Sequence, residues 1–177
     1  AWRMIVENID RLIRVIPNFP KPGILFRDVT PLLADGMAFR SVVDAFANEY
    51  RDRVDIVLGI ESRGFIFGAA VAYALGCGLA VVRKPGKLPH DTYSAAYVLE
   101  YGQDSLEIHR DAFGHACRVL VLDDLLATGG TAGAAVNLVE RLDGDIVACA
   151  FLVELVELAG RERLAPHPVF SLLRYDD

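Results

Sequence analysis

The 177-residue sequence predicts an α/β fold, one domain with a central, mostly parallel sheet flanked by helices. Three observations carry that expectation. Short apolar runs such as Val54–Ile60 (VDIVLGI), Arg118–Leu122 (RVLVL) and Ile146–Val153 lack the in–out alternation of a strand with one wet face, so they read as strands buried on both sides. Segments with helical spacing follow several of them. The runs also end in polar or glycine-rich turns, at Glu61-Ser62-Arg63, Arg83-Lys84 and Asp123-Asp124, and the carboxyl ends of the strands are where an open parallel sheet binds ligands.

In chain order, Ile5, Ile9, Leu12, Ile13 and Ile16 recur at helical spacing until Pro17, which predicts an amphipathic opening helix ended by the proline. The stretch FPKPGILFRDVTPLL (residues 19–33) is too rich in proline for a long element and reads as a packed loop or hood, giving an N-terminal hood over about residues 1–35. Residues 38–50 place Phe39, Val42, Val43 and Phe46 on one helical face. Val54–Ile60 then feeds a small-residue helix, FIFGAAVAYALG. Leu79–Val82 is a further strand, and the polar stretch at about residues 85–102 is long enough to predict a flexible loop or lid. Arg118–Leu122 closes at Asp123-Asp124 and leads to a helix carrying Val136, Leu138, Val139 and Leu142. Ile146–Val153 and Val169–Leu173 supply the last strands.

Composition narrows the partners. A 53% hydrophobic fraction suits a packed core, and a net charge of −6 disfavours nucleic acid, which selects a basic face. No apolar run approaches the roughly 20 residues of a membrane helix. The start does not resemble a signal peptide, since Glu7, Asp10, Arg11 and Arg14 interrupt it. Cys77, Cys117 and Cys149 are widely spaced, form no CxxC pair, and read as buried thiols in a reducing cytoplasm. The four histidines make no ligand spacing for a metal.

The segment with the most chemistry is Val119–Thr131 (VLVLDDLLATGGT). Its small residues and two glycines let the backbone N–H groups of Ala127, Thr128, Gly129, Gly130 and Thr131 turn around an anion, at the positive end of the helix that follows. Thr128 and Thr131 can add hydroxyl donors, while the carboxylates of Asp123 and Asp124 suit the two hydroxyls of a vicinal diol. A phosphorylated ribose satisfies both halves. The run has neither GxxxxGK[ST] nor GxGxxG, which sets aside a nucleoside-triphosphate loop and a dinucleotide fold. Ser62 and Arg63 after one strand, and Arg83, Lys84 and Lys87 after another, concentrate polar and cationic groups at two other strand ends.

This run resembles the signature of the type I phosphoribosyltransferases, which use phosphoribosyl pyrophosphate (PRPP). With FPKPGILFRDVTPLL, ESRGFIFG, VRKPGKLP and YVLEYGQDSLEIHRDA in the same order, the resemblance covers nearly the whole chain and points to the adenine branch of that family. It implies transfer of the phosphoribosyl group to adenine, with Asp123 and Asp124 on the ribose, the Ala127–Thr131 turn on the 5-phosphate, and Ser62, Arg63, Arg83, Lys84 and Lys87 on the pyrophosphate. It implies adenine contacts from Leu25, Phe26 and Arg27, with Leu125 on the other ring face. Glu100 and Arg63 would take catalytic parts, Glu100 at the purine N7 proton, and Tyr101 would belong to the lid. Mg²⁺ is implied as cofactor, held mainly by substrate and water rather than by direct protein ligands. A homodimer is implied as well, with Trp2, Ile5 and Phe65 as candidates for its interface. The readings that compete with this one are a phosphoribosyltransferase for another base, a PRPP-sensing regulator of the same fold, and a phospho-acceptor receiver domain suggested by the paired aspartates.

Overall fold

The computed structural model describes residues 2–99 and 102–176, with Trp2 and Arg3 described by backbone alone. The chain divides into two compact units, residues 1–45 and 46–177.

In the first unit, α1 (Trp2–Asp10) is followed by an antiparallel pair, β1 (Arg14–Pro17) and β2 (Leu25–Asp28), and then α2 (Thr30–Ala34). The opening helix therefore stops earlier than its spacing predicts. Ile13 is still buried, at 7% exposure beside 1% for Ile9, so the apolar periodicity persists through the turn after the hydrogen-bonded helix has ended. Arg14–Pro17 pairs instead with a strand some ten residues on, a contact that local periodicity does not encode. The pair is closed by Gly23 at φ +88°, whose N–H donates to Oδ1 of Asn18 at 2.9 Å. Asp28 accepts from the N–H of Thr30 at 2.9 Å just before α2, and Pro31 sits in the first turn, where its missing N–H is no loss. The division between the units falls within α3 (Gly36–Tyr50).

The second unit is built on a five-stranded, all-parallel sheet of β3 (Ile56–Ile60), β4 (Gly78–Val82), β7 (Arg118–Leu126), β8 (Asp145–Leu155) and β9 (Val169–Tyr175), in the order β4-β3-β7-β8-β9. Alternate residues go to opposite faces. Leu58, Ile60, Val119, Val121, Cys149 and Phe151 share a core with Ala134, Ala135, Leu138 and Val139 of α5 (Gly130–Arg141). On the other face α4 (Arg63–Leu75) lies close enough that a Cβ on Gly68 would be 3.3 Å from the Cα of Gly59 and 3.7 Å from Cγ1 of Val57. Phe46 and Tyr50 of α3 meet Phe170 edge-on at 6.0 Å. Each fully buried aliphatic side chain of such a core contributes about 1.5–3 kcal/mol. That both faces are covered is why the sequence runs showed no alternation.

Residues 92–109 differ from expectation. Where a loop over about 85–102 was anticipated, Thr92–Leu99 forms β5, antiparallel to β6 (Gly102–His109). Ala95, Tyr97, Leu106 and Ile108 point one way into the α5-side core while their neighbours are more exposed. The period-two pattern was legible, but polar residues in the alternate positions gave it the composition of a loop. After β8 the chain makes a 3-10 turn (Val156–Leu158) and the short helix α6 (Gly160–Leu164) before β9.

Candidate active site

The strand order creates the site. From β3 the chain passes through α4 to β4 on one side, and from β7 through α5 to β8 on the other, so β3 and β7 flank the point where the winding reverses. Their carboxyl ends diverge and leave a crevice there. A cavity of about 320 Å³ occupies it, lined by Glu61, Ser62 and Arg63 after β3, Lys84 after β4, Tyr97 and Leu106 of the ribbon, and residues 123–132, which run from the end of β7 into α5.

Glycines set how closely these pieces approach. A Cβ on Gly64 would lie 2.8 Å from Oδ1 of Asp123 and 3.1 Å from the carbonyl oxygen of Leu122, so only glycine lets the start of α4 rest on the end of β7. That contact brings Arg63 to Asp124, whose Oδ2 accepts from Arg63 Nε at 2.5 Å. Asp124 is 5% exposed, and the guanidinium offsets a carboxylate otherwise stranded from water. The strand runs further than expected: Asp123 and Asp124 lie within β7, which ends at Leu126. Oδ1 of Asp123 accepts from the N–H of Asp124 at 2.8 Å. Burial pushes the Asp123 carboxyl well above the usual carboxylate range, and the neighbouring Asp124 pushes it the same way.

Beyond Leu126 the chain turns through Ala127, Thr128 and Gly129 into α5. Gly129 has φ +84° and caps the helix without any side-chain hydrogen bond. The first amides of α5 are therefore not used by a side-chain cap, no acidic residue occupies the first turn, and the helix presents its positive end to the cavity. Ser62 likewise precedes α4 without a side-chain capping bond. The Glu61–Ser62 peptide is cis.

Cations and carboxylates interlock on the remaining wall. Lys84 Nζ donates to Tyr97 Oη at 2.5 Å and to Oδ2 of Asp104. Burial disfavours the charged amine, but the bonds to Asp104 and Tyr97 outweigh it and hold Lys84 above its ordinary value. Glu61 gathers three donors: Lys87 Nζ at 2.5 Å, Arg83 Nε at 3.0 Å and the N–H of Lys84 at 3.2 Å. Burial would raise Glu61, yet those donors leave its carboxyl below the usual range. Arg83 and Lys87 are thus outside the cavity lining, tied to its wall through Glu61.

Of the sequence-predicted site residues, the cavity unites Ser62, Arg63, Lys84, Asp123, Asp124, Leu125, Ala127, Thr128, Gly129, Gly130 and Thr131. Glu100 and Tyr101 lie outside the described residues. Leu25, Phe26 and Arg27 are in β2 of the first unit, where Phe26 packs edge-on against Phe19 at 5.1 Å. Of the interface candidates, Ile5 and Phe65 are half-buried, and the side chain of Trp2 is not described. Sequence reasoning missed Glu61, Tyr97 and Asp104 as organisers of the cations. Tyr97 pairs with Asp104 across the ribbon, and the alternation flanking residues 100–101 could have placed those two side by side, whereas their ties to Lys84, and those of Glu61 to its cations, carry no signal in the spacing.

Comparison with known proteins gives one answer. Residues 32–172 match the phosphoribosyl transferase domain family. An adenine phosphoribosyltransferase of Solibacter usitatus is 56% identical over 97% of this chain and 99% of its own length. A crystal structure of adenine phosphoribosyltransferase from Thermoanaerobacter pseudethanolicus superposes with a TM-score of 0.94 at 48% identity, covering 96% of this chain and 99% of that one. A third relative, the Saccharomyces cerevisiae enzyme complexed with adenine and an imino-altritol bisphosphate, gives a TM-score of 0.93 at 39% identity, covering 97% of this chain and 99% of that one. With the parallel sheet, the crevice at its reversal point and the aspartate–glycine cradle already in place, these likenesses show that the chain belongs to the adenine phosphoribosyltransferase family.

Proposed function

We propose that this protein is a purine-salvage transferase that moves the 5-phosphoribosyl group of PRPP to N9 of adenine, giving AMP and pyrophosphate. The observation that carries the reading is the cavity at the sheet reversal point, where paired carboxylates, an uncapped helix start and two cations surround a space of about 320 Å³. In the reaction the bond from ribose C1 to the pyrophosphate oxygen breaks with its electron pair leaving on pyrophosphate. The bond from N9 to C1 forms, and the purine gives up a proton.

Each part of the cavity suits one part of PRPP. Asp123 and Asp124 accept from the ribose hydroxyls, and the Arg63 guanidinium on Asp124 lessens the repulsion of an incoming polyanion. The Ala127–Thr131 turn holds the 5-phosphate on backbone amides. Ser62, Arg63 and Lys84 meet the pyrophosphate, where cations stabilise charge that grows as the C1–O bond lengthens, and Arg83 and Lys87 support that wall through Glu61. Leu125 covers one face of adenine, and Leu25, Phe26 and Arg27 are assigned to the base by family resemblance alone. Glu100 is assigned to the purine proton, and Tyr101 to the lid, by family resemblance alone. The donor chemistry fits Mg²⁺ carried on substrate oxygens, since Asp124 already has Arg63 as its cation and Asp123 can accept from metal-bound water. When bound, the ion neutralises the pyrophosphate oxyanions.

Three cysteines without disulfide partners suit a reducing cytoplasm. A homodimer is supported by exposed apolar side chains on α4 and the edge strand β4, notably Tyr73 at 90% and Leu79 at 41% exposure. The test is AMP formation from PRPP and Mg²⁺ with adenine, hypoxanthine, guanine and orotate offered separately. Turnover with adenine alone is expected. Preference for another base, or PRPP binding without product, would overturn the reading.

A further inference from the structure

The phosphate turn rests on a part of the chain that does not line the cavity. A Cβ on Gly160 would stand 2.5 Å from the carbonyl oxygen of Ala127 and 2.8 Å from Cδ1 of Leu126. In return, a Cβ on Gly129 would stand 2.7 Å from the carbonyl oxygen of Gly160. Real Cβ atoms essentially never come within 3.0 Å of another heavy atom, so the two backbones touch with no side chain between them. Gly129 needs glycine for its φ of +84° as well; Gly160 needs it for space alone.

What holds Gly160 in place is its neighbour. Arg161 donates from Nε and Nη2 to the two carboxylate oxygens of Glu154 at 2.7 and 2.8 Å, and from Nη1 to the carbonyl of Val169 at 3.0 Å. Glu154 is 3% exposed and belongs to β8, where it is the register partner of Leu126, the residue that leads into the phosphate turn. Anchor and turn therefore leave adjacent strands at the same level. A planar guanidinium forked onto a buried carboxylate resists rotation far better than a single bond does. The start of α6 is fixed as a hard backstop, and the carbonyl of Ala127 lies against it.

We infer that Gly160 and Arg161 are positioning residues for the 5-phosphate: they set the backbone of Ala127–Gly130, so that its amides converge on one anion. Amide cradles depend on sub-ångström placement, because each donor must point at the same small group of oxygens. The inference rests on the proposed reading that this turn holds the 5-phosphate of PRPP. It separates two halves of one substrate, since the proposed pyrophosphate residues Arg63 and Lys84 are held by Asp124, Tyr97 and Asp104, on other elements than α6.

The experiment compares wild type, Gly160→Ala and Arg161→Lys by calorimetric titration with ribose 5-phosphate and with pyrophosphate, alongside KM for PRPP and for adenine. Gly160→Ala should weaken ribose 5-phosphate binding and raise KM for PRPP by about tenfold, in line with the roughly hundredfold penalty of a 1 Å misplacement. Pyrophosphate affinity and KM for adenine should stay within about twofold of wild type. Arg161→Lys keeps the charge beside Glu154 but loses the fork, and should give the same pattern more weakly; it decides the question by itself where the alanine variant is insoluble. Unchanged ribose 5-phosphate affinity in a folded variant, or equal weakening toward both ligands, overturns the inference. Wild-type protein that binds no ribose 5-phosphate and forms no AMP overturns the functional reading instead.

Discussion

Replacing Gly64 by alanine inserts one methyl group where α4 meets β7, and the consequence can be worked from distances. The new Cβ would lie 2.8 Å from Oδ1 of Asp123, 3.1 Å from the carbonyl oxygen of Leu122 and 3.3 Å from the Cα of Asp123. Ordinary contact begins at 3.4 Å, so helix and carboxylate must separate by about 0.6 Å. Tilting the helix back would relieve the clash only by opening the close packing of Gly64 and Gly68 against Gly59, where a Cβ on Gly68 would be 3.3 Å from the Cα of Gly59. Overpacking of this kind costs about 1–3 kcal/mol. For a chain of this size that is roughly 2–4 °C of Tm for each kcal/mol. Arg63 moves with Gly64, so the Arg63–Asp124 pair and the Asp123 carboxyl lose their relative placement together. By the sensitivity of about a hundredfold for 1 Å, the expected loss in kcat/KM for PRPP is on the order of tenfold. Urea unfolding followed by circular dichroism measures the first effect, and initial rates of AMP formation the second. A variant with wild-type midpoint and wild-type kcat/KM would refute the claim that glycine is required there to seat Arg63 and the aspartates.

Two further predictions address the charges. Asp123 is raised in the folded protein, so it binds more protons folded than unfolded; its contribution to stability is complete below the unfolded carboxylate value and is lost as pH rises through the folded one. Asp123→Asn, neutral at every pH, should therefore flatten the fall in unfolding free energy between acid and neutral pH while lowering PRPP affinity; a pH series of denaturant midpoints that is superimposable on wild type refutes it. Lys84→Met removes a charge-assisted donor, typically about 1.5–3 kcal/mol. Inhibition by pyrophosphate should weaken by about 10–100-fold with ribose 5-phosphate binding unchanged, and unaltered inhibition places Lys84 outside the pyrophosphate site.

Much of this molecule is determined locally, and that part was legible. Strands buried on both faces must be apolar throughout, so Val54–Ile60 and Arg118–Leu122 declared a parallel sheet before any contact was known. The turn proposed to hold the 5-phosphate is likewise a run of consecutive residues, Ala127–Thr131, whose backbone freedom and helix-start position follow from composition. What the sequence could not determine depends on residues far apart in the chain. Arg63 and Asp124 meet only because Gly64 admits one backbone to another, and Gly160 reaches Ala127 only because Arg161 is forked onto Glu154. The carboxylates that organise Arg83, Lys84 and Lys87, Glu61 and Asp104, sit 22 to 26 and 20 residues from their partners. Ion pairs of this kind leave no periodicity, because they depend on strand order and register rather than on spacing along the chain. The sequence by itself determined which chemistry is present and on which strand ends; tertiary packing decided which charges face the cavity, which are already paired, and what the Ala127–Thr131 turn leans against.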